Sequence, residues 1–344
     1  MGRPIKPRLR FGLALPHYDY SLPGASPISW HAVKDWAHKA EELGFDSVWV
    51  SDHLFLDVSK YGGPADPQGA MECWTTLAAL SSTTTKVRFG SLVACNDLRA
   101  PSLVAKMAAT IDVLSGGRLE VGLGAGWYEP EFKASGIPFR RAGERIDRLE
   151  EAIQIVVGML SGSPFTFEGR YYAVYEAMNL PAPVQQPRPP VFVGGKGDRM
   201  VKLAARHADG YNAVWAWTPE AFKGRLDLLD ETARKAGRDP AEIRRTVGLY
   251  VLGADDEEGL DDRYRTYLDA SPPGVGEGQT RQEWSRDKLA GDPSAIVARI
   301  REFEKLGVDE VILGFGVLPF QIADPEAVEW FAREVLHRLE RAEG

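Results

Sequence analysis

Short apolar runs alternate along the chain with longer segments whose apolar residues recur at helical spacing. Residues 9–16 (LRFGLALP) read as a first buried strand. Residues 29–43 then bring Trp30, Val33, Trp36, Ala37, Ala40 and Leu43 to one helical face, and Gly44 suits the position just past a helix end. The same alternation predicts strands at 47–51, 87–95, 119–124, 191–193, 211–215, 246–252 and 310–315. Helices are expected at 72–82, 101–114, 144–160, 198–207, 219–236, 293–306 and 325–341. The rhythm breaks twice. Residues 165–175 alternate and carry aromatics, which suggests a small hairpin. Residues 255–288 are acidic, contain Pro-Pro-Gly-Val-Gly-Glu-Gly, and read as an irregular or mobile insertion.

Eight strands, each followed by a helix, imply a parallel sheet with helices outside, closed into a TIM (β/α)8 barrel. The expected organisation is one barrel domain over 1–344, with insertions near 55–70, 127–142, 162–189 and 254–290. The runner-up, an open doubly wound sheet, wants a Gly-x-Gly-x-x-Gly turn after its first strand. Here that strand ends Ala14-Leu15-Pro16-His17.

Composition narrows the function. The 344 residues carry a net charge of −8, which gives no global attraction for nucleic acid or an anionic membrane. Cys73 and Cys95 cannot make a disulfide framework. No stretch approaches the roughly 18 apolar residues that span a bilayer. No signal-length apolar run follows the basic start, so a cytoplasmic protein is expected. No His-x-x-His or Glu-x-x-His pair appears, and no metal is expected. Glycine is abundant, at 35 residues, and unevenly spread.

In such barrels the chemistry sits where strands end. The second strand exits through Ser51-Asp52-His53, an acid beside an imidazole suited to proton transfer near neutral pH. The bland alternative is a satisfied histidine at a strand end. The third exit, Leu92-Val93-Ala94-Cys95-Asn96, suits a flat apolar ring with Asn96 at its polar edge; taken alone, plain barrel core explains it better. The fourth exit, Gly122-Leu123-Gly124-Ala125-Gly126-Trp127-Tyr128-Glu129, offers close backbone approach and an aromatic wall. The fifth, Gly194-Gly195-Lys196-Gly197, precedes a helix, where exposed N–H groups favour a phosphate. The alternative there is a tight turn with Lys196 in solvent. Glu129 and Glu131, flanking Pro130, could serve a substrate pocket, but read by default as a solvated loop. Cys95 reads as a small buried hydrophobe, and His17 as a second rim imidazole. His31, His38, His207 and His337 fall on predicted helices.

Taken together, Ser51-Asp52-His53, residues 112–118 (DVLSGGR), 122–127 and 189–212 resemble the bacterial luciferase-like monooxygenase superfamily. The run from Asp112 into Leu-Glu-Val-Gly-Leu-Gly-Ala-Gly-Trp-Tyr resembles its branch of coenzyme F420-dependent oxidoreductases. The resemblance implies a TIM barrel with a flavin-like ring at its mouth. It implies a non-proline cis peptide at Leu92–Val93 that presses a bulge on the ring. It implies cofactor contacts from Asp52, Leu92, Val93, Asn96, Gly126, Trp127, Gly194, Gly195, Lys196 and Gly197. His53 would be the catalytic proton donor or acceptor, and His17, Tyr128 and Glu129 would line a substrate pocket. Sugar-phosphate dehydrogenase relatives carry Trp where this chain has Asp57, which argues against that substrate class. Arg170, Lys202 and Arg206 remain unassigned.

The expected cofactor is F420, passing hydride to or from a small organic substrate, with FMN as the alternative. In the FMN case the reduced flavin reacts with oxygen, and the site excludes water. A non-catalytic flavin-binding protein is a further alternative, disfavoured by Asp52 and His53. A barrel isomerase or aldolase is another, and the aldolase lacks an inward Lys on the predicted strands. The resemblance also implies a homodimer.

Overall fold

The computed structural model describes residues 8–341, so the basic stretch at 1–7 lies outside the described residues. Eight parallel strands form a closed barrel: β1 (Arg10–Ala14), β2 (Ser47–Val50), β3 (Arg88–Ser91), β4 (Leu119–Gly124), β5 (Val191–Gly194), β6 (Gly210–Ala213), β7 (Arg244–Gly253) and β8 (Glu310–Gly314). Each strand pairs with its sequence neighbour, and β8 closes the ring by pairing with both β7 and β1. The helices outside are α1 (Trp30–Glu42), α2 (Cys73–Thr83), α3 (Pro101–Ser115), α4 (Ala142–Met159), α5 (Asp198–His207), α6 (Pro219–Lys235), α7 (Pro293–Lys305) and α8 (Pro325–Phe331). The expected TIM barrel is the observed fold.

Local chemistry explains the boundaries. Ser29, Thr218, Asp292 and Asp324 cap α1, α6, α7 and α8 by accepting first-turn N–H groups. Pro101 opens α3, and Gly116 ends it in the left-handed region at φ +66°.

The barrel is filled by large side chains facing glycines. Trp49 lies so close to Gly12 and Gly90 that a Cβ there would stand 2.7 Å from its ring. Phe192 occupies the same kind of space opposite Gly210, 2.2 Å from where a Cβ would lie. The floor at the strand starts is ionic. Glu120 and Glu310, fully buried, pair with Arg10, Arg88 and Arg244. Glu310 also accepts from Ser47 and from the Trp49 indole, tying floor to core.

Three expectations need correction. The strand expected over 87–95 is interrupted: β3 stops at Ser91, and Ala94–Cys95 pairs separately with β4. The stretch expected to be irregular at 255–288 is largely helical, with helices Glu257–Asp269 and Arg281–Ser285. A Thr280–Glu283 capping box starts the second helix, and Leu289–Gly291 extends the sheet beside β7. The loop expected around Glu129 and Glu131 is a short helix, Glu129–Ala134, opened by Pro130. The hairpin appears as Phe165–Glu168 paired with Ala173–Ala177.

Candidate functional site

His53 follows β2 and lies beside the short helix that follows β4. Its Nδ1 lies 3.0 Å from Glu131 Oε1, and Glu131 Oε2 accepts the Leu54 N–H at 2.9 Å. Glu131 is fully buried, against the expectation of a solvated loop, because one face of the short helix packs inward with Phe132. A carboxylate so placed accepts Nδ1–H and fixes the imidazole tautomer. Among the described residues, Nε2 of His53 has no hydrogen-bond partner. Trp127 and Tyr128 meet the imidazole edge-to-face at 5.5 and 6.0 Å. Trp127 is 44% exposed, while Tyr128 is buried and donates its hydroxyl to Asp57 at 2.5 Å. Glu129 lies exposed at the start of the short helix.

Asp52 is buried at the β2 exit. Arg99 grips both its oxygens at 2.7 and 3.0 Å, and the Cys95 N–H donates to it at 2.9 Å. Burial raises its pKa above the usual carboxylate value, against the pull of Arg99. Arg99 also pairs with Glu72, the cap of α2. One guanidinium therefore joins the exits of β2 and β3 to α2.

The Leu92–Val93 peptide is cis, at the position implied by the resemblance. Leu92 is buried and Val93 partly exposed. The Val93 methyls fill the space beside Gly122, Gly124 and Gly194, 2.9, 2.6 and 2.7 Å from where a Cβ would lie. At the β4 exit the glycines expected to allow close backbone approach of a ligand, Gly122 and Gly124, instead make room for Val93. At Gly126 the same space is taken by Cys95 Sγ at 2.6 Å, and Cys95 is buried as expected. Asn96 is buried and donates to the Tyr172 hydroxyl at 3.2 Å, which brings the hairpin to the rim.

His17 departs from expectation. It is fully buried, with Nδ1 2.8 Å from the Leu15 carbonyl and Nε2 3.0 Å from Ser51 Oγ. Burial is the main cause that lowers its pKa to about 4, so the ring is neutral near pH 7. It packs between Tyr18, tilted against it, and Phe320, edge-on to it.

The glycine turn leads into α5, whose N-cap Gly197 provides no side-chain cap. A Cβ added at Gly197 would meet nothing within 4 Å. The turn is anchored by Gly195 N–H donating to the Asn212 carbonyl at 3.1 Å and by the Tyr211 hydroxyl on the Gly195 carbonyl. Lys196 extends away to the Trp215 carbonyl at 2.8 Å. An open, uncapped helix start fits a phosphate, and the exposed Trp127 indole offers a flat apolar surface.

Arg99 and Tyr18 escaped the sequence reading, and Glu131 was placed in a solvated loop rather than beside His53. The available signal for Glu131 was Pro130 followed by apolar Phe132, which marks a helix start. Arg99 and Tyr18 gave none.

Fold and rim together define a TIM barrel with its polar chemistry gathered at the strand exits. More narrowly, the chain belongs to the luciferase-like monooxygenase family, whose sequence model matches residues 9–310. The chain is 31% identical over 265 residues to an FMNH2-dependent dimethylsulfone monooxygenase of Pseudomonas putida, covering 69% of this chain and 70% of that one. It is 35% identical over 219 residues to an F420-dependent glucose-6-phosphate dehydrogenase of Microbacterium testaceum, covering 63% of this chain but only 62% of the dehydrogenase. In three dimensions it resembles an F420-dependent secondary alcohol dehydrogenase, with TM-score 0.75, 21% identity, and coverage of 96% and 98% of the two chains. The family thus holds both F420-dependent and FMNH2-dependent oxidoreductases.

Proposed function

We propose that the chain is an F420-dependent oxidoreductase acting on a small organic substrate, with His53 as its proton donor or acceptor. The observation that carries this reading is the His53–Glu131 pair at the rim, 3.0 Å apart. Bound at this rim, the deazaflavin would supply hydride chemistry. The uncapped start of α5 and the 194–197 turn would hold its phosphate; Val93, Asn96, Gly126 and Trp127 would border its ring. Asp52 acts through Arg99 and Cys95 as a positioning residue. Glu131 holds the His53 ring, so that Nε2 passes a proton to or from substrate. His17 supports the rim, and Tyr128, tied to Asp57, shapes the substrate side with Glu129 at its edge.

An FMN-dependent monooxygenase is the second reading, favoured by the dimethylsulfone monooxygenase relative. Titrating the apoprotein with each cofactor, followed by fluorescence, separates the two. Saturable F420 binding with weaker FMN binding supports the first; the reverse order selects the second. His53→Ala should lower kcat about 10²- to 10⁴-fold while cofactor affinity holds. Glu131→Gln should lower kcat with little change in KM. Full turnover in His53→Ala would remove the assignment.

The same reading makes the protein cytoplasmic and homodimeric. No helix among the described residues is long and apolar enough to cross a membrane. Exposed Leu103 and Leu114 on α3, with Leu180 and Val184 nearby in the chain's linker, support pairing with a second copy.

A further inference from the structure

The mouth of the barrel has two unlike halves. The exits of β3, β4 and β5 carry Val93 and the glycine turns. Across the ring of strands stand β7, β8 and β1, with β6 and β2 beside them. This second half is aromatic. Tyr18, after β1, meets the His53 imidazole at 6.5 Å and Phe320, after β8, at 6.2 Å. Phe320 meets Trp215, after β6, edge-to-face at 5.7 Å. Trp215 stacks on Tyr250 of β7 at 5.1 Å, the planes 25° apart. Ring contacts therefore run without a break from His53 to Tyr250. Two further observations show how this row is held. A Cβ at Gly248 or Gly314 would stand 3.2 or 3.5 Å from the Trp215 ring, so the indole lies against β7 and β8. Ala216, next to Trp215 in the chain, and Phe320 itself adopt the left-handed region, at φ +65° and +55°. Residues with a Cβ rarely go there, and stay only where their surroundings enforce it.

Tyr250 is the odd member of the row. Seven tyrosines are buried among the described residues, and six have their hydroxyl hydrogen-bonded within the protein. Tyr250 is 5% exposed, yet its hydroxyl has no hydrogen-bond partner among the described residues. Nor is that oxygen sealed off from solvent. A plain core aromatic would bury its hydroxyl against an acceptor, as the other six do. Burial raises the Tyr250 pKa well above its ordinary value, so the hydroxyl stays protonated and able to donate. The ammonium of Lys288, 6.0 Å from the ring, is already matched by Asp287. A charged group seated against these rings would lose its hydration and find no free opposite charge at Tyr250. A neutral oxygen acceptor on a flat body meets no such cost, and it satisfies the hydroxyl.

We propose that the substrate of this barrel is an uncharged planar molecule carrying a carbonyl oxygen, its flat body against Trp215 and its oxygen accepting from Tyr250. The proposal rests on the redox reading above for the word substrate, but not for the binding site. The other flat molecule in that reading is the cofactor itself. Its phosphate turn follows β5, whereas Tyr250 and Phe320 stand two and three strands further round the ring, which favours the substrate.

Calorimetric titration of the full chain tests this, with and without saturating F420 or FMN. The probes are acetophenone, the non-planar cyclohexyl methyl ketone, and the charged benzoate. Acetophenone should bind saturably, and each of the other two about tenfold more weakly or worse. Tyr250→Phe removes only the hydroxyl and should weaken acetophenone about three- to tenfold. Trp215→Leu should weaken it about tenfold and narrow the gap between the two ketones. Both variants, checked for unchanged melting, should leave cofactor affinity intact. Benzoate or cyclohexyl methyl ketone binding as tightly as acetophenone overturns the proposal, as does no acetophenone binding in either state; the cofactor titration then still stands for the redox reading. An unchanged acetophenone affinity in Tyr250→Phe also overturns it. Failure of both cofactors with acetophenone still bound overturns the redox reading alone. If the two variants lose cofactor affinity and keep acetophenone, the aromatic row serves the cofactor and the substrate proposal falls.

Discussion

Two imidazoles near one rim meet opposite fates because of a few neighbouring atoms. His53 is 13% exposed at its side chain and held by Glu131, with Nε2 left unpartnered among the described residues. His17 is sealed beneath it, both nitrogens engaged, with its pKa lowered to about 4. An unfolded histidine titrates near 6.5, so on acidification the unfolded chain takes up this proton first. The stability His17 contributes is full above about pH 6.5 and is lost as pH falls toward 4, by up to about 3 kcal/mol. Melting temperatures measured from pH 7 to 4.5 should therefore fall less steeply in His17→Gln than in the native chain. Parallel curves would contradict a buried neutral imidazole.

At the scale of elements, the strand exits interlock. The β3 exit sends Val93 across to the glycines of β4 and β5, and Asp52 on the β2 exit accepts the Cys95 N–H. Glycine here is a matter of space for a neighbour. Gly124→Ala and Gly194→Ala would each press on Val93 and should destabilise by about 1–3 kcal/mol. Val93→Ala should recover most of that loss in either double mutant. Gly122→Ala should not be rescued, because its Cβ would lie 2.1 Å from the Ser91 carbonyl oxygen, which is backbone. Denaturant unfolding of the singles and doubles checks this; equal rescue at all three sites would refute the Val93 account.

Across the whole molecule the two barrel ends divide the work. The floor spends its charges on one another: Glu120 and Glu310 are buried among Arg10, Arg88 and Arg244. At the mouth, among the described residues, Lys60 and Lys196 have no carboxylate partner, while Lys288 pairs with Asp287. Removing a buried carboxylate strands its arginines, so Glu120→Ala should cost about 3–5 kcal/mol. Cofactor affinity should change little at temperatures where the variant stays folded. A large loss of affinity without loss of stability would mean that the floor and the mouth are coupled.

The alternation of apolar runs determined the barrel, because each strand–helix unit writes its own periodicity locally. Helix ends were equally legible, as at Gly44, since caps and turns act over a few residues. Strand ends also marked the rim and placed His53 and the 194–197 turn on it. What each rim residue touches was decided by tertiary structure. Glu131 reaches His53 across 78 positions, Arg99 reaches Asp52 across 47, and Val93 fits glycines of two other strands. The helices within 255–288 belong to the same class. Such contacts depend on how the closed ring brings distant exits together, and no local pattern carries that distance.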